Sequence, residues 1–100
     1  VYSGGSATGT TINNGGIQIV YGIAEKTAIN NGGEQTVFSG SSATGTTING
    51  GVQIVSGTAK DTSINGGRQY VSGTAKDTSI NGGRQYVSGT AENTTIYQGG

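Results

Sequence analysis

Asp61 and Asp77 stand sixteen residues apart, each between a Lys and a Thr. If those sixteen residues make one turn of a stacked coil, the two carboxylates lie one β-spacing apart, ~4.8 Å. Retaining glycosidases use two carboxyl groups ~5–5.5 Å apart, so polysaccharide cleavage is one chemistry this spacing allows. The plainer reading is a duplicated solvated corner, with Lys60 and Lys76 beside the acids to neutralise them. No His occurs in the chain, and no third acid or aromatic sugar platform joins the pair.

A second group is Arg68, Tyr70, Arg84 and Tyr86, two copies of Arg-Gln-Tyr. Arg and Tyr are enriched at the hot spots of protein interfaces, so this group is an interface candidate. The plainer reading is a ladder that packs Arg stems on Tyr rings. Hydroxyls are the abundant chemistry. Ser39, Ser56, Ser72 and Ser88 each precede Gly, and Ser63 and Ser79 lie in Thr-Ser-Ile. They read either as turn chemistry or as acceptors of O-linked sugar. Thr8-Gly9-Thr10 and Thr44-Gly45-Thr46 resemble the flat Thr arrays of ice-binding coils, but Lys-Asp-Thr and Glu-Lys-Thr interrupt the series. Asn93-Thr94-Thr95 fits the N-glycosylation sequon, as chance allows in a chain this rich in Asn and Thr. Calcium-binding repeats would need a regular Asp after Gly-x-Gly, and none is present.

These residues recur because the chain repeats. Ser56–Val71 returns letter for letter as Ser72–Val87. Looser copies align on four columns. Ala7, Ala24, Ala43, Ala59, Ala75 and Ala91 form the first, and Ile12, Ile29, Ile48, Ile64, Ile80 and Ile96 the second. Gln18, Gln35, Gln53, Gln69 and Gln85 form the third, and Val1, Val20, Val37, Val55, Val71 and Val87 the fourth. Ala to Ile is always five residues and Gln to Val always two, so the repeat of 16–19 residues varies only between these segments. Fixed segments are structure and elastic ones are loops.

Thr-x-Ile and Gln-x-Val have the period of a strand. The column Ile17, Glu34, Val52, Arg68, Arg84 accepts charge and faces water, so Val, Ile, Thr and Gln point inward. Asn-Gly-Gly, Ser-Gly and a polar pair after the Ala supply three corners, with φ > 0 expected in Asn-Gly-Gly. The expected fold is all-β: a right-handed parallel β-helix of about six short triangular coils. Helices are excluded, because each interior Gly costs roughly 1 kcal/mol. A hairpin meander would run alternate copies in opposite directions, whereas identical copies are best satisfied by parallel, in-register stacking. Stacked coils bury one another's faces, which a single coil cannot do. Buried Gln, and Asn at the corner, can bond to their own kind one coil away.

The bulk numbers agree. Apolar residues make up 30% of the chain, too few for a conventional core, yet Pro is absent and only 10% of residues are charged, unlike a disordered chain. Net charge is zero, so no basic stripe invites nucleic acid or anionic lipid. Without Cys or His there is no disulfide framework, and a transition-metal site is not expected. No cofactor is expected. No apolar run reaches the length of a membrane span and no signal peptide is seen. The pattern opens and stops in mid-repeat. The expectation is one β-helical fragment, residues 1–100, of a longer chain, with both ends uncapped and open to other copies.

Val-Ser-Gly-Thr-Ala-x-x-Thr-x-Ile-Asn-Gly-Gly-x-Gln-Tyr-Val resembles the passenger repeat of the AIDA-type autotransporter adhesins. The resemblance spans the whole chain, departing at Tyr21-Gly22 and Tyr97-Gln98. It implies a β-helix exported through an outer-membrane barrel and displayed on a Gram-negative cell. It implies host-cell attachment, self-aggregation, and modification of Ser by a cytoplasmic heptosyltransferase. Partners implied are that transferase, the host cell surface and other copies of the chain. Membrane contact would be made only through a C-terminal barrel absent from this sequence. Acceptor candidates carried over are Ser39, Ser56, Ser72 and Ser88, with Tyr21 breaking their column. The competing classes are a β-helical polysaccharide-active enzyme and a passive stalk.

Overall fold

The computed structural model describes residues 5–97. The chain winds into a parallel β-solenoid of about six turns, and each of the first five turns lays one short strand on each of three sheets, with the sixth adding strands to two of them among the described residues. The Ala sheet stacks Ser6–Thr8, Ile23–Glu25, Ser42–Thr44, Thr58–Lys60, Thr74–Lys76 and Thr90–Glu92. The Ile sheet stacks Thr11–Ile12, Ala28–Ile29, Thr47–Ile48, Ser63–Ile64, Ser79–Ile80 and Thr95–Ile96. The Gln sheet stacks Ile17–Val20, Glu34–Val37, Val52–Val55, Arg68–Val71 and Arg84–Val87. Every column expected from the repeat is in register: Ala59 lies between Ala43 and Ala75, Ile64 between Ile48 and Ile80, Gln69 between Gln53 and Gln85. Val1 lies outside the described residues.

Period-two alternation decides the faces. Within Arg68–Val71, Gln69 and Val71 are buried while Arg68 and Tyr70 are exposed. Five Ile residues form one buried file, and Val and Ala from the other two sheets form two further buried clusters. The polar residues inside are satisfied between coils. Gln53 Nε2 donates to Gln35 Oε1 at 2.7 Å, and Gln69 Nε2 donates to Gln53 Oε1 at 2.7 Å. The Asn column does the same at its corner, from Asn13 through Asn30, Asn49 and Asn65 to Asn81. A carboxamide carries donor and acceptor on opposite arms, so it spans the ~4.8 Å between coils. A hydroxyl does not span it. Thr27, Thr62 and Thr78 are fully buried with Oγ1 unpaired, while Thr46 Oγ1 accepts from its own coil's Gln53 Nε2 at 3.4 Å.

The corners differ from the sequence expectation in three places. Positive φ falls chiefly between the Ala and Ile strands, in the column Gly9 (73°), Lys26 (55°), Gly45 (71°), Asp61 (54°), Asp77 (54°) and Asn93 (53°). In Asn-Gly-Gly it occurs only in the longer turns, at Gly15 and Gly32. There the second Gly N–H closes a turn onto Asn13 O or Asn30 O. In the shorter turns the second glycine supplies room instead: a Cβ on Gly51 would overlap Ile29 Cγ2 and lie 2.6 Å from Gly33 O.

The second difference concerns Ser39. Phe38 N donates to Val20 O just as Ser56 N donates to Val37 O, so Phe38 shares the column of Ser56. Ser39 and Gly40 are a two-residue excursion, closed by Ser41 N donating to Phe38 O at 3.0 Å. Sequence alone does not say where, within an elastic spacer, the extra residues fall. The third concerns charge. Lys76 pairs across coils with Glu92, its register partner, at 3.9 Å, rather than with the neighbouring Asp77.

Candidate functional site

The Gln sheet has the longest strands, four residues each, and each strand turns two side chains outward. On the last two coils these are Arg68, Tyr70, Arg84 and Tyr86, brought together as the repeat spacing predicts. Tyr70 and Tyr86 stack with ring centroids 5.0 Å apart and planes 10° apart. Arg84 Nη1 donates to Tyr86 Oη at 3.4 Å. That bond, then the Arg84 and Arg68 charges, lower the Tyr86 pKa against the opposing effect of desolvation. The same bond raises that of Arg84.

Two residues past each Tyr the chain reaches the Ser-Gly corner. Ser56, Ser72 and Ser88 form one exposed column there. Their backbone N–H groups bond the carbonyl one coil back, and the hydroxyls of Ser72 and Ser88 lie 3.4 Å from Val55 O and Val71 O. Between the Tyr and Ser columns runs an open groove of about 470 Å³, lined by Ile54, Tyr70, Ser72, Tyr86, Val87 and Ser88. The groove presents aromatic and apolar surface on one side and hydroxyls on the other. Ser39 is exposed but stands off this column. Ser63 and Ser79 are half-buried register partners on the Ile sheet.

The other candidates do not converge. Asp61 and Asp77 are both exposed on a corner one coil apart, joined by Asp61 N donating to Lys76 O at 3.0 Å. Among the described residues no group of three or more His, Cys, Asp or Glu stands together to hold a metal ion. Thr8 and Thr44 are separated by Glu25 in register, so the Thr array is interrupted in space as well as in sequence.

One feature is not among the columns of the repeat. Where the first coil passes into the second, Ile17, Ile19, Tyr21 and Ile23 all face outward and are exposed. Tyr21 stacks on Phe38 at 4.6 Å with planes 4° apart, in the corner column that later holds Ser. Its signal is the strict alternation Ile17-Gln18-Ile19-Val20-Tyr21-Gly22-Ile23, which continues one strand's outward period around the corner.

A parallel solenoid with in-register polar ladders and repeated exposed columns is an extended structural module. The chain belongs to the family described as "Adhesin of bacterial autotransporter system, probable stalk", whose model matches residues 18–68. This places it in the surface-exposed passenger of an autotransporter, a class anchored at the outer membrane, as the repeat resemblance implied. Among solved structures, the chain is similar to a crystal structure of a TibC-catalysed hyper-glycosylated TibA fragment. The two are 39% identical with a TM-score of 0.49, over 100% of this chain and 54% of that one. The chain thus spans about half the length of that fragment. No curated protein matches.

Proposed function

We propose that this segment is an adhesive part of the passenger, acting in host-cell attachment and self-aggregation, and that its Ser corner is the substrate of a dedicated heptosyltransferase. The observation that carries the reading is the exposed column Ser56, Ser72, Ser88 running beside the outward Arg-Tyr face. Hydroxyls at a corner protrude where a transferase can reach them. Arg68, Tyr70, Arg84 and Tyr86 supply contact chemistry one step away. The segment has no catalytic role in this reading: Asp61 and Asp77 sit on a convex, solvated corner. A passive stalk is the second reading, favoured by the family's description.

The test uses the passenger displayed on its own cells. Replacing Arg68, Tyr70, Arg84 and Tyr86 by Thr keeps strand-forming residues on the face. Slower settling of cell suspensions and weaker binding to host cells are expected. Unchanged settling and binding would leave only the stalk. Deleting Ser72–Val87 removes one whole coil without disturbing register. A stalk tolerates that loss, whereas a binding surface is weakened by it.

A further inference from the structure

We propose that Asn31-Gly32 is a self-modifying site, which loses its side-chain amide as ammonia faster than the other Asn-Gly pairs of the chain. The chain holds five such pairs, at Asn14, Asn31, Asn49, Asn65 and Asn81. The chemistry is intramolecular. The backbone N of the following Gly attacks the Asn Cγ, and a new N–Cγ bond closes a five-membered imide. The Cγ–Nδ2 bond breaks and Nδ2 leaves as ammonia, carrying the Gly amide proton. Water then opens the imide at either carbonyl, giving Asp or its backbone-shifted isomer. The net change is one water gained and one ammonia lost. Reaction requires a carboxamide free to rotate and a Gly N–H free to be deprotonated.

The structure separates the five pairs on both requirements. Asn49, Asn65 and Asn81 are rungs of the corner ladder. Asn49 donates to Asn30 at 3.2 Å and accepts from Asn65 at 3.1 Å; Asn65 also accepts from Asn81 at 2.9 Å. Their carboxamides are held. In the first two coils the longer turn places a different Asn in the ladder, Asn13 and Asn30, and leaves the Asn before Gly outside it. Asn14 meets only half of the requirement, because Gly15 N donates to Gly32 O at 3.3 Å. Asn31 meets both. Among the described residues, its exposed carboxamide and the N–H of Gly32 have no hydrogen-bond partner. Gly32 also takes φ +85°, open to few other residues. Each event adds one negative charge to a chain whose net charge is zero.

Asn49 and Asn65 are held by two such bonds and Asn81 by one, to Asn65, so each reacts about fivefold or more slowly than a free carboxamide, and Asn81 is slowed less than Asn65. The experiment ages the folded protein at mildly alkaline pH and maps tryptic peptides over time, scoring the amide-to-acid mass increment and isoaspartate. Cleavage after Lys and Arg gives residues 27–60, bearing Asn31 and Asn49, and two identical peptides, 61–68 and 77–84, bearing Asn65 and Asn81. Fragmentation assigns the position in the first. The expected result is early conversion at Asn31, at least about fivefold ahead of the pooled Asn65 and Asn81 peptides. In denaturant that lead disappears, because the ladder is gone. The variant Asn31→Ser loses the early increment and keeps the fold. Equal rates at Asn31 and the pooled peptides in the folded protein would overturn the proposal. So would a folded protein inert at Asn31 while the denatured chain converts there.

Discussion

Gln53 is the rung on which the buried ladder is most exposed to test. Its side chain is fully buried, donates to Gln35 at 2.7 Å and to Thr46 at 3.4 Å, and accepts from Gln69 at 2.7 Å. Gln53→Ala leaves Gln35 Oε1 without a donor and Gln69 Nε2 without an acceptor, both inside the solenoid, and puts Thr46 Oγ1 in the unpaired state of Thr27, Thr62 and Thr78. An orphaned buried polar group costs about 1–3 kcal/mol, so two cost about 2–6 kcal/mol before the vacated volume is counted. That is a large part of the ~5–15 kcal/mol that holds an ordinary domain together. Gln85 is the internal control. It donates to Gln69 at 2.7 Å and is only part-buried, with no further rung bonded to it among the described residues. Gln85→Ala orphans one acceptor, at about 1–3 kcal/mol. The assay is urea unfolding followed by β-sheet circular dichroism, with both variants against the parent. The reasoning is refuted if the two substitutions lower the midpoint equally, since the ladder would then not set the cost.

Three further outcomes follow from the same geometry. Gly51→Ala is expected to unfold readily, since its Cβ would meet Ile29 Cγ2 and lie 2.6 Å from Gly33 O, whereas Gly50→Ala meets only Asn31 atoms at 3.2–3.3 Å and is mild; thermal melts compare the two. Lys26 holds φ 55°, so Lys26→Gly relieves left-handed strain of roughly 1–2 kcal/mol and raises the melting temperature despite the entropy glycine adds to the unfolded chain. The Tyr86 phenol is lowered by the Arg84 hydrogen bond and then by the Arg84 and Arg68 charges, so followed by tyrosinate absorbance it titrates below an ordinary tyrosine, and Arg84→Leu moves it back up. A lowered folded pKa contributes stability above the ordinary tyrosine range, and that contribution fades as pH falls through the folded value.

The columns are legible in the amino-acid sequence, because one repeat copied letter for letter leaves parallel stacking as the simplest way to satisfy every position. The Gln and Asn ladders are legible for the same reason: a buried amide in every coil has its own copy as neighbour. The left-handed corner is half legible. Gly9, Gly45, Asp61, Asp77 and Asn93 are residue types that tolerate φ > 0, but Lys26 gives no such sign, and the doubled glycines carry positive φ only in the two longer turns, at Gly15 and Gly32. In the shorter turns glycine is selected by crowding against Ile and carbonyl groups, which no single-chain pattern displays. The Ser corner is legible in the short coils and misregistered at Ser39. A spacer of variable length fixes its ends and not its interior, so the equivalence of Phe38 with Ser56 depends on a backbone bond. The row Ile17, Ile19, Tyr21, Ile23 is invisible down the columns, because it runs along the chain from the first coil into the second and the other coils do not repeat it.

The most direct test of the functional account is peptide mapping of protein made with, and without, its own host's glycosyltransferases. Trypsin separates the candidates: residues 69–76 carry Ser72, and the identical peptides 61–68 and 77–84 carry Ser63 and Ser79. The account predicts heptose increments on 69–76 and at Ser56 and Ser88 ahead of the half-buried Ser63 and Ser79, and none without the transferase. Unmodified protein from both hosts, or sugar confined to the Ser63 and Ser79 peptides, would contradict it.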